Sequence, residues 1–169
     1  MKYGYSYIQG KKEVKIFLKS FLYPGDKICD IGAGSGTYYY LLGSDYEWTG
    51  VDIWHDSIVY LQDKYDFLYE EDIRTFKYPK TYNLTIFGDI IEHLCVEDAQ
   101  FCIKNAQRHS KNILVAVPYQ LEQDPLYGNE AERHLQPDLT PEIFKQRYPD
   151  FKLIHEVPNL YGYYHWRSE

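Results

Sequence analysis

Three glycines at alternate positions follow a short apolar run near the start of the chain, in residues 28–36 (ICDIGAGSG). Because glycine has no Cβ, such a loop can turn tightly and bring its backbone close to a ligand. The nicotinamide-binding fingerprint would need a glycine at position 37, which is Thr37, and a phosphate loop would end in Gly-Lys followed by Ser or Thr. The segment therefore predicts a strand that leads into a ligand-binding turn of another kind.

Strand and helix patterns alternate after this turn. Apolar residues recur at helical spacing in residues 97–109, whereas residues 112–117 are a β-branched and aliphatic run typical of a strand buried on both faces. A helical apolar stripe precedes the turn in residues 11–22, and residues 151–157 and 161–166 have the pattern of a hairpin. We therefore expect an α/β fold: a Rossmann-like, doubly wound sheet that is mostly parallel, with helices on both faces and an antiparallel strand in the C-terminal hairpin.

The length of 169 residues is that of one domain, so we expect a single domain over residues 1–169. Residues 1–22 would form an N-terminal arm and helix. The net charge of −7 argues against a nucleic-acid-binding protein, because binding to phosphates needs a basic surface. The chain has neither an apolar run of eighteen residues nor an apolar core near its start, so we expect a cytoplasmic protein that does not bind membranes.

Two acidic residues lie beside the glycine-rich turn. Asp30 falls inside the first apolar strand, where a carboxylate must be hydrogen-bonded or must face a ligand's cation. Asp52 ends the next strand, where a carboxylate can accept two hydrogen bonds from a ribose diol. A solvated turn aspartate is the alternative for Asp52, but the nearby glycines favour the ribose role. Ile53 and Trp54 would then flank an adenine, and Asp72 could accept a hydrogen bond from its amino group.

The segment 30–36 (DIGAGSG) resembles the D-x-G-x-G-x-G motif of the class I S-adenosylmethionine-dependent methyltransferases, and the later acids follow in that family's order. The resemblance implies strand order 3-2-1-4-5-7-6 and S-adenosylmethionine as cofactor, with S-adenosylhomocysteine (SAH) as product. It assigns the cofactor site to Asp30, Gly32, Ala33, Gly34, Gly36, Asp52, Ile53, Asp72, Ile73 and Gly88. A small-molecule acceptor is expected, since the chain has no room for a separate substrate domain. Residues 119–140, long for a loop, would form a lid over the acceptor site.

A second group of polar residues follows the fourth predicted strand. If residues 89–93 begin a helix, Asp89, Glu92 and His93 share one face, and His134 comes later in the predicted lid. An imidazole here could accept a proton from the acceptor, because histidine titrates near neutrality. The carboxylates could instead stabilise a helix N-terminus. Our interpretation assigns catalysis to Asp89, His93 and His134 and assigns no metal to the site, although the mixed oxygen and nitrogen donors would suit a divalent ion.

Alternative functions remain at this point. The element around Glu92 and His93 is also similar to that of the small-RNA 3′-terminal 2′-O-methyltransferases, which use two carboxylates and two histidines around a metal. Asp89 stands where those enzymes carry their first glutamate, and the acidic charge is unfavourable for RNA. A second alternative is a non-catalytic domain that binds S-adenosylmethionine or SAH without transferring the methyl group.

Overall fold

A computed structural model describes residues 7–126 and 128–169 of the protein. The first six residues of the predicted arm, and Tyr127 of the predicted lid, lie outside the described residues. Among the described helices, none has both the length and the apolar character that crossing a bilayer requires.

The chain alternates between helices and strands as the sequence predicts. The elements are α1 (Lys11–Lys19), β1 (Lys27–Ile31), α2 (Thr37–Leu42), β2 (Glu47–Asp52), α3 (His55–Leu61), β3 (Phe67–Glu70), β4 (Leu84–Gly88), α4 (Val96–Gln107), β5 (Asn112–Pro118), α5 (Pro141–Arg147), β6 (Lys152–Val157) and β7 (Tyr161–Arg167). Two short 3-10 helices, Ile91–His93 and Glu130–Glu132, lie in the connections that precede α4 and α5.

The seven strands form one sheet in the order β3-β2-β1-β4-β5-β7-β6. Strands β1 to β5 pair in parallel, and β7 pairs antiparallel with both β5 and β6. The predicted strand order, the mostly parallel sheet and the C-terminal hairpin are therefore confirmed. In β6 the pairing register with β7 shifts between Leu153 and His155, which leaves one extra residue in this edge strand.

Strand β5 shows how the core is divided between the two faces of the sheet. Ile113, Val115 and Val117 contact one hydrophobic cluster, whereas Leu114 and Ala116 contact the other. The first cluster includes buried residues of α4 and α5, and the second includes those of α1, α2 and α3. Because successive side chains of a strand point to opposite faces, the fully apolar run of β5 requires helices on both sides.

Helix α1 is fixed to the sheet by a buried cation at its first residue. The Lys11 side chain is buried, and its Nζ donates a hydrogen bond to the Tyr38 hydroxyl at 2.8 Å. The same Nζ lies over the rings of Tyr38, Tyr161 and Tyr163, at 4.2, 5.7 and 5.3 Å from their centroids. Burial lowers the pKa of Lys11 to about 8, partly opposed by Asp89. Aromatic faces and a hydroxyl thus replace the water that the ammonium loses.

Candidate active site

The glycine-rich turn connects β1 to α2 and is held against β2. Gly32, Gly34 and Gly36 have φ angles of +66°, +51° and +76°, a region that side chains with a Cβ rarely adopt. The Gly32 N–H donates to the Val51 carbonyl at 2.8 Å, which continues the β1–β2 pairing into the turn. A Cβ at position 32 would lie 1.8 Å from the Ile90 Cδ1, so this position also needs glycine for space.

Asp52 is hydrogen-bonded to the backbone of this turn. Its Oδ2 accepts from the Gly34 N–H at 2.8 Å, and its Oδ1 accepts from the Trp54 N–H at 2.8 Å. Burial raises the pKa of Asp52, and these backbone hydrogen bonds oppose the rise. Weaker hydrogen bonds from the Ser57 hydroxyl and the Ile53 N–H act in the same direction. The carboxylate is therefore held in place at the cavity wall, and its ribose role remains a prediction.

Asp30 lies buried in β1, with 2% of its surface exposed. The Tyr65 hydroxyl donates to its Oδ2 at 2.7 Å, a partner that the sequence analysis did not identify. Burial raises the pKa of Asp30 to about 7, and the Tyr65 hydrogen bond and the charge of Lys11 oppose this rise. The carboxyl group is therefore poised between its neutral and charged forms near neutral pH, where a cation brought beside it would favour the charged form.

This pKa predicts a pH-dependent contribution of Asp30 to stability. The folded protein binds the Asp30 proton more tightly than the unfolded chain, whose carboxyl has the ordinary value of 3.8. The resulting stabilisation is complete below about pH 4 and is lost as the pH rises through about 7. Relative to Asp30→Asn, the wild-type free energy of unfolding should fall by up to about 1.4 kcal/mol per pH unit in this window. Denaturant unfolding at pH 5, 6, 7 and 8 measures the difference.

Two further variants test the assignment of this slope to Asp30. Asp56→Asn changes an exposed acid in α3 and should keep the wild-type pH dependence. Tyr65→Phe removes the hydrogen bond that favours the charged carboxylate, so the decline should extend to higher pH. If Asp30→Asn and the wild type lose stability in parallel from pH 5 to pH 8, Asp30 does not have the raised pKa.

A cavity of about 900 Å³ opens at the carboxyl ends of the parallel strands. The predicted cofactor-site residues that line it are Asp30, Gly32, Ala33, Gly34, Asp52, Ile53, Asp72, Ile73 and Gly88. The predicted catalytic residues Asp89, His93 and His134 line it as well. Of the predicted set, Gly36 is not in the lining; it precedes α2, and a Cβ there would lie 2.8 Å from Leu61. Its role is thus in the packing of the turn.

Asp72 is held by a neighbouring arginine. Its Oδ1 accepts from the Arg74 N–H at 2.8 Å and from Arg74 Nε at 3.0 Å. The hydrogen bonds with this guanidinium hold the pKa of Asp72 below its usual value. Asp72 is therefore an ionised acceptor at the cavity wall, and its role beside an adenine stays a prediction.

The structure does not place Asp89 in a helical turn with Glu92 and His93, as the sequence analysis assumed. Asp89 has a φ of +57°, and only Ile91–His93 form a 3-10 helix. The Asp89 Oδ1 accepts a hydrogen bond from the Tyr161 hydroxyl at 2.6 Å. A helix cannot begin at Asp89, because the positive φ of this residue turns the chain sharply just after the end of β4. Tyr161 is a second partner in the site that sequence reasoning missed.

Glu92, His93 and His134 form a separate cluster on the cavity wall. One carboxylate oxygen of Glu92 and one ring nitrogen of each histidine all lie within 4.8 Å of one another. The two imidazole rings meet edge to face, with their centroids 4.7 Å apart. Burial and the nearby Asp89 raise the pKa of Glu92, while burial and His134 lower the pKa of His93 to about 4.

Backbone hydrogen bonds bring His134 to this cluster across about forty residues of chain. The Glu92 carbonyl accepts from the N–H groups of Leu135 at 2.7 Å and Gln136 at 3.0 Å. The buried Gln136 side chain donates to the carbonyls of Ile91 at 2.7 Å and Leu94 at 3.1 Å. One segment is a single 3-10 turn and the other has no regular structure, so no periodic pattern in the sequence could have revealed this pairing.

Comparison with solved structures finds the same architecture in other chains. The N-terminal domain of EvdMO1 with SAH bound aligns at a TM-score of 0.69 and 13% identity, over 97% of this chain and 83% of that one. An S-adenosylmethionine-dependent methyltransferase from Clostridium acetobutylicum aligns at 0.70 and 12%, over 93% and 90% of the two chains. Magnesium protoporphyrin IX methyltransferase (ChlM) from Synechocystis with bound SAH aligns at 0.67 and 14%, over 95% and 83%.

Comparison by sequence adds nothing to this likeness. No protein-family model matches the chain, and no curated protein matches it. The structural alignments cover 93–97% of this chain, at TM-scores of 0.67–0.70. The protein therefore has the fold of the class I S-adenosylmethionine-dependent methyltransferases.

Proposed function

We propose that the protein is an S-adenosylmethionine-dependent methyltransferase that acts on a small-molecule acceptor. The observation that carries this proposal is the hydrogen bond from Gly34 in the glycine-rich turn to Asp52, at the edge of a cavity of about 900 Å³. A cavity near the upper end of the range for small-molecule sites can hold a cofactor together with a small acceptor. Solved structures of the same fold were crystallised with SAH, which supports the choice of cofactor.

The chemistry of the cavity lining fits this cofactor. Nine acidic residues and one arginine, Arg74, line the cavity; the acids are Asp30, Asp52, Glu71, Asp72, Asp89, Glu92, Asp98, Glu130 and Glu132. A negative lining attracts a ligand that carries a sulfonium and an ammonium, whereas it would repel a pyrophosphate. In addition, the Trp54 indole Nε1 is buried without a hydrogen-bond partner among the described residues, beside the predicted adenine position. A bound ligand would supply an acceptor for that N–H.

The roles of the residues follow from their positions around the cavity. Asp52 would accept hydrogen bonds from the ribose hydroxyls, with Ile53 and Trp54 beside the adenine. Asp30 would face the positive end of the cofactor. When bound, S-adenosylmethionine supplies a methyl group activated by its sulfonium. Positioning the acceptor in line with that methyl group is the main contribution expected of the protein.

The acceptor would lie at the opposite side of the cavity, near Glu92, His93 and His134. Residues of the predicted lid, among them Leu121, Leu126 and Leu135, give this side apolar walls. We therefore propose an acceptor with an apolar body and a polar reacting atom that faces the cluster. The acidic charge of the protein and of the cavity favours such a molecule over RNA.

Thermal unfolding with ligand, followed by a turnover assay, tests this function. At concentrations about 100 times Kd, S-adenosylmethionine and SAH should each stabilise the protein by about 2.7 kcal/mol, which raises the melting temperature by roughly 5–10 °C. SAH formation would then be measured with panels of hydroxylated and amine-containing small molecules and with RNA. If neither ligand changes the melting temperature at millimolar concentration, the proposal is wrong. Binding without turnover on every panel would identify a non-catalytic ligand-binding domain.

A further inference from the structure

The cluster of Glu92, His93 and His134 contains a buried acid whose environment is unusual. Glu92 has 1% of its surface exposed, and neither carboxylate oxygen has a hydrogen-bond partner among the other described residues. A carboxyl group buried without a partner costs several kcal/mol, and such groups are rare in folded proteins. Because Glu92 also lines the cavity, a partner for its oxygens can come from a bound species.

The two histidines of the cluster are oriented by backbone carbonyl groups. His134 Nδ1 lies 2.7 Å from the Leu121 carbonyl oxygen, and His93 Nδ1 lies 3.3 Å from that of Arg133. A carbonyl oxygen can only accept, so in a neutral ring the Leu121 contact assigns the His134 proton to Nδ1 and the lone pair to Nε2. His93, in contrast, is held by the carbonyls of both Arg133 and Glu132. The arrangement at His134, with one ring nitrogen donating to a carbonyl and the other carrying a lone pair, is the usual one for a histidine that binds a metal.

The spacing of the cluster is compatible with one ion. The three candidate ligand atoms lie within 4.8 Å of one another, and ligand atoms around a tetrahedral zinc are about 3.4 Å apart. An inward movement of about 1 Å at each side chain would close this difference, a change within the reach of side-chain rotation. One carboxylate and two imidazoles suit a first-row divalent ion, and three protein ligands leave a coordination position open towards the cavity.

We propose that Glu92, His93 and His134 bind a divalent transition-metal ion such as Zn²⁺ or Mn²⁺ in the acceptor side of the cavity. This differs from our interpretation of the sequence, which assigned no metal, because the unpartnered Glu92 carboxylate becomes visible only in the fold. Metal binding does not depend on the proposed function. The role of the ion does rest on the proposed function. A polar atom of the acceptor would then bind at the open coordination position of the ion, and the acceptor would not contact a histidine directly.

The experiment measures metal binding by the untagged, full-length protein after treatment with a chelator. Isothermal titration with ZnCl₂ and MnCl₂ should show one site per chain for at least one of the two ions. Substitution with Co²⁺ should give a visible absorption spectrum of nitrogen and oxygen ligation. Glu92→Gln and His134→Ala should each weaken binding at least tenfold, as expected for the loss of a ligand. Glu92→Gln keeps the size of the side chain, so it tests the ligand without opening a cavity.

A matched control comes from the exposed pair of His55 and Glu70, whose Nδ1 and Oε2 atoms lie 2.7 Å apart. The double variant His55→Ala, Glu70→Gln removes a surface histidine–carboxylate pair and should leave metal binding unchanged. The SAH-induced rise in melting temperature, measured on every variant, shows that each is folded and tests the proposed function separately. If neither ion binds to protein that responds to SAH, or if binding survives Glu92→Gln and His134→Ala unchanged, the metal site is excluded.

Discussion

Replacing Asp52 with alanine should remove most of the melting-temperature rise produced by SAH. The carboxylate accepts hydrogen bonds from Gly34 and Trp54 and lines the cavity where we propose the ribose, so the substitution loses both the proposed ligand contacts and the shape of the turn. Hydrogen bonds that involve a charged group contribute about 1.5–3 kcal/mol each, so we expect SAH affinity to fall at least 100-fold. Isothermal titration with SAH measures the change directly.

The same substitution should also weaken the protein without ligand. Two backbone N–H groups lose their acceptor, and each buried, unsatisfied donor costs about 1–3 kcal/mol. SAH binding must therefore be compared with each variant's own ligand-free melting temperature. Asp56→Ala is the control, because it removes an exposed acid in the next helix without touching the cavity. SAH affinity that is unchanged in Asp52→Ala would exclude the ribose role.

Replacing Gly32 with alanine should destabilise the fold more than any other single methyl addition in the turn. The new Cβ would lie 1.8 Å from Cδ1 and 2.4 Å from Cγ1 of Ile90, and the backbone would remain at a φ of +66°. Overpacking and a left-handed backbone together predict a loss of about 2–5 kcal/mol in the free energy of unfolding. Denaturant unfolding measures this loss, and SAH affinity should fall at the same time because the turn must move.

Two variants separate the steric effect from the backbone effect. Gly25 has a similar φ of +86°, but a Cβ there would meet no atom within 4 Å, so Gly25→Ala should cost only about 1–2 kcal/mol. In a double-mutant cycle, Ile90→Ala should recover part of the loss caused by Gly32→Ala, since only the Ile90 Cβ would remain, at 3.8 Å. Equal losses in Gly32→Ala and Gly25→Ala would show that contact with Ile90 is unimportant.

The sequence predicts the sheet well because its signals are local. The apolar run of β5 and the alternating helix and strand patterns depend on neighbouring residues, and they lead to the observed strand order once the family resemblance is added. The glycines of the turn are similarly informative. At Gly32 and Gly34 the positive φ angles are those that glycine tolerates best, so residue type and backbone conformation agree.

The acceptor side of the cavity could not be predicted in the same way. The conformation of Asp89 depends on contacts with β5 and β7, through Ala116 and Tyr161, which no local pattern encodes. The approach of His134 to His93 depends on hydrogen bonds between a short 3-10 turn and a segment without regular structure. Sequence patterns grouped Asp89, Glu92, His93 and His134, but only the fold shows that Glu92 and the two histidines lie close together and that Asp89 is hydrogen-bonded to Tyr161.

The extra residue in β6 affects how the protein meets other copies of itself. An edge strand exposes unpaired backbone groups that can pair with a strand of another molecule and start aggregation. Strand β6 begins with an exposed lysine, Lys152, and its register shift between Leu153 and His155 interrupts the regular ladder. A bulge bends and twists an edge, so a second sheet cannot dock along its full length. The bulge between Leu153 and His155 thus protects the sheet from growing by strand addition on this side.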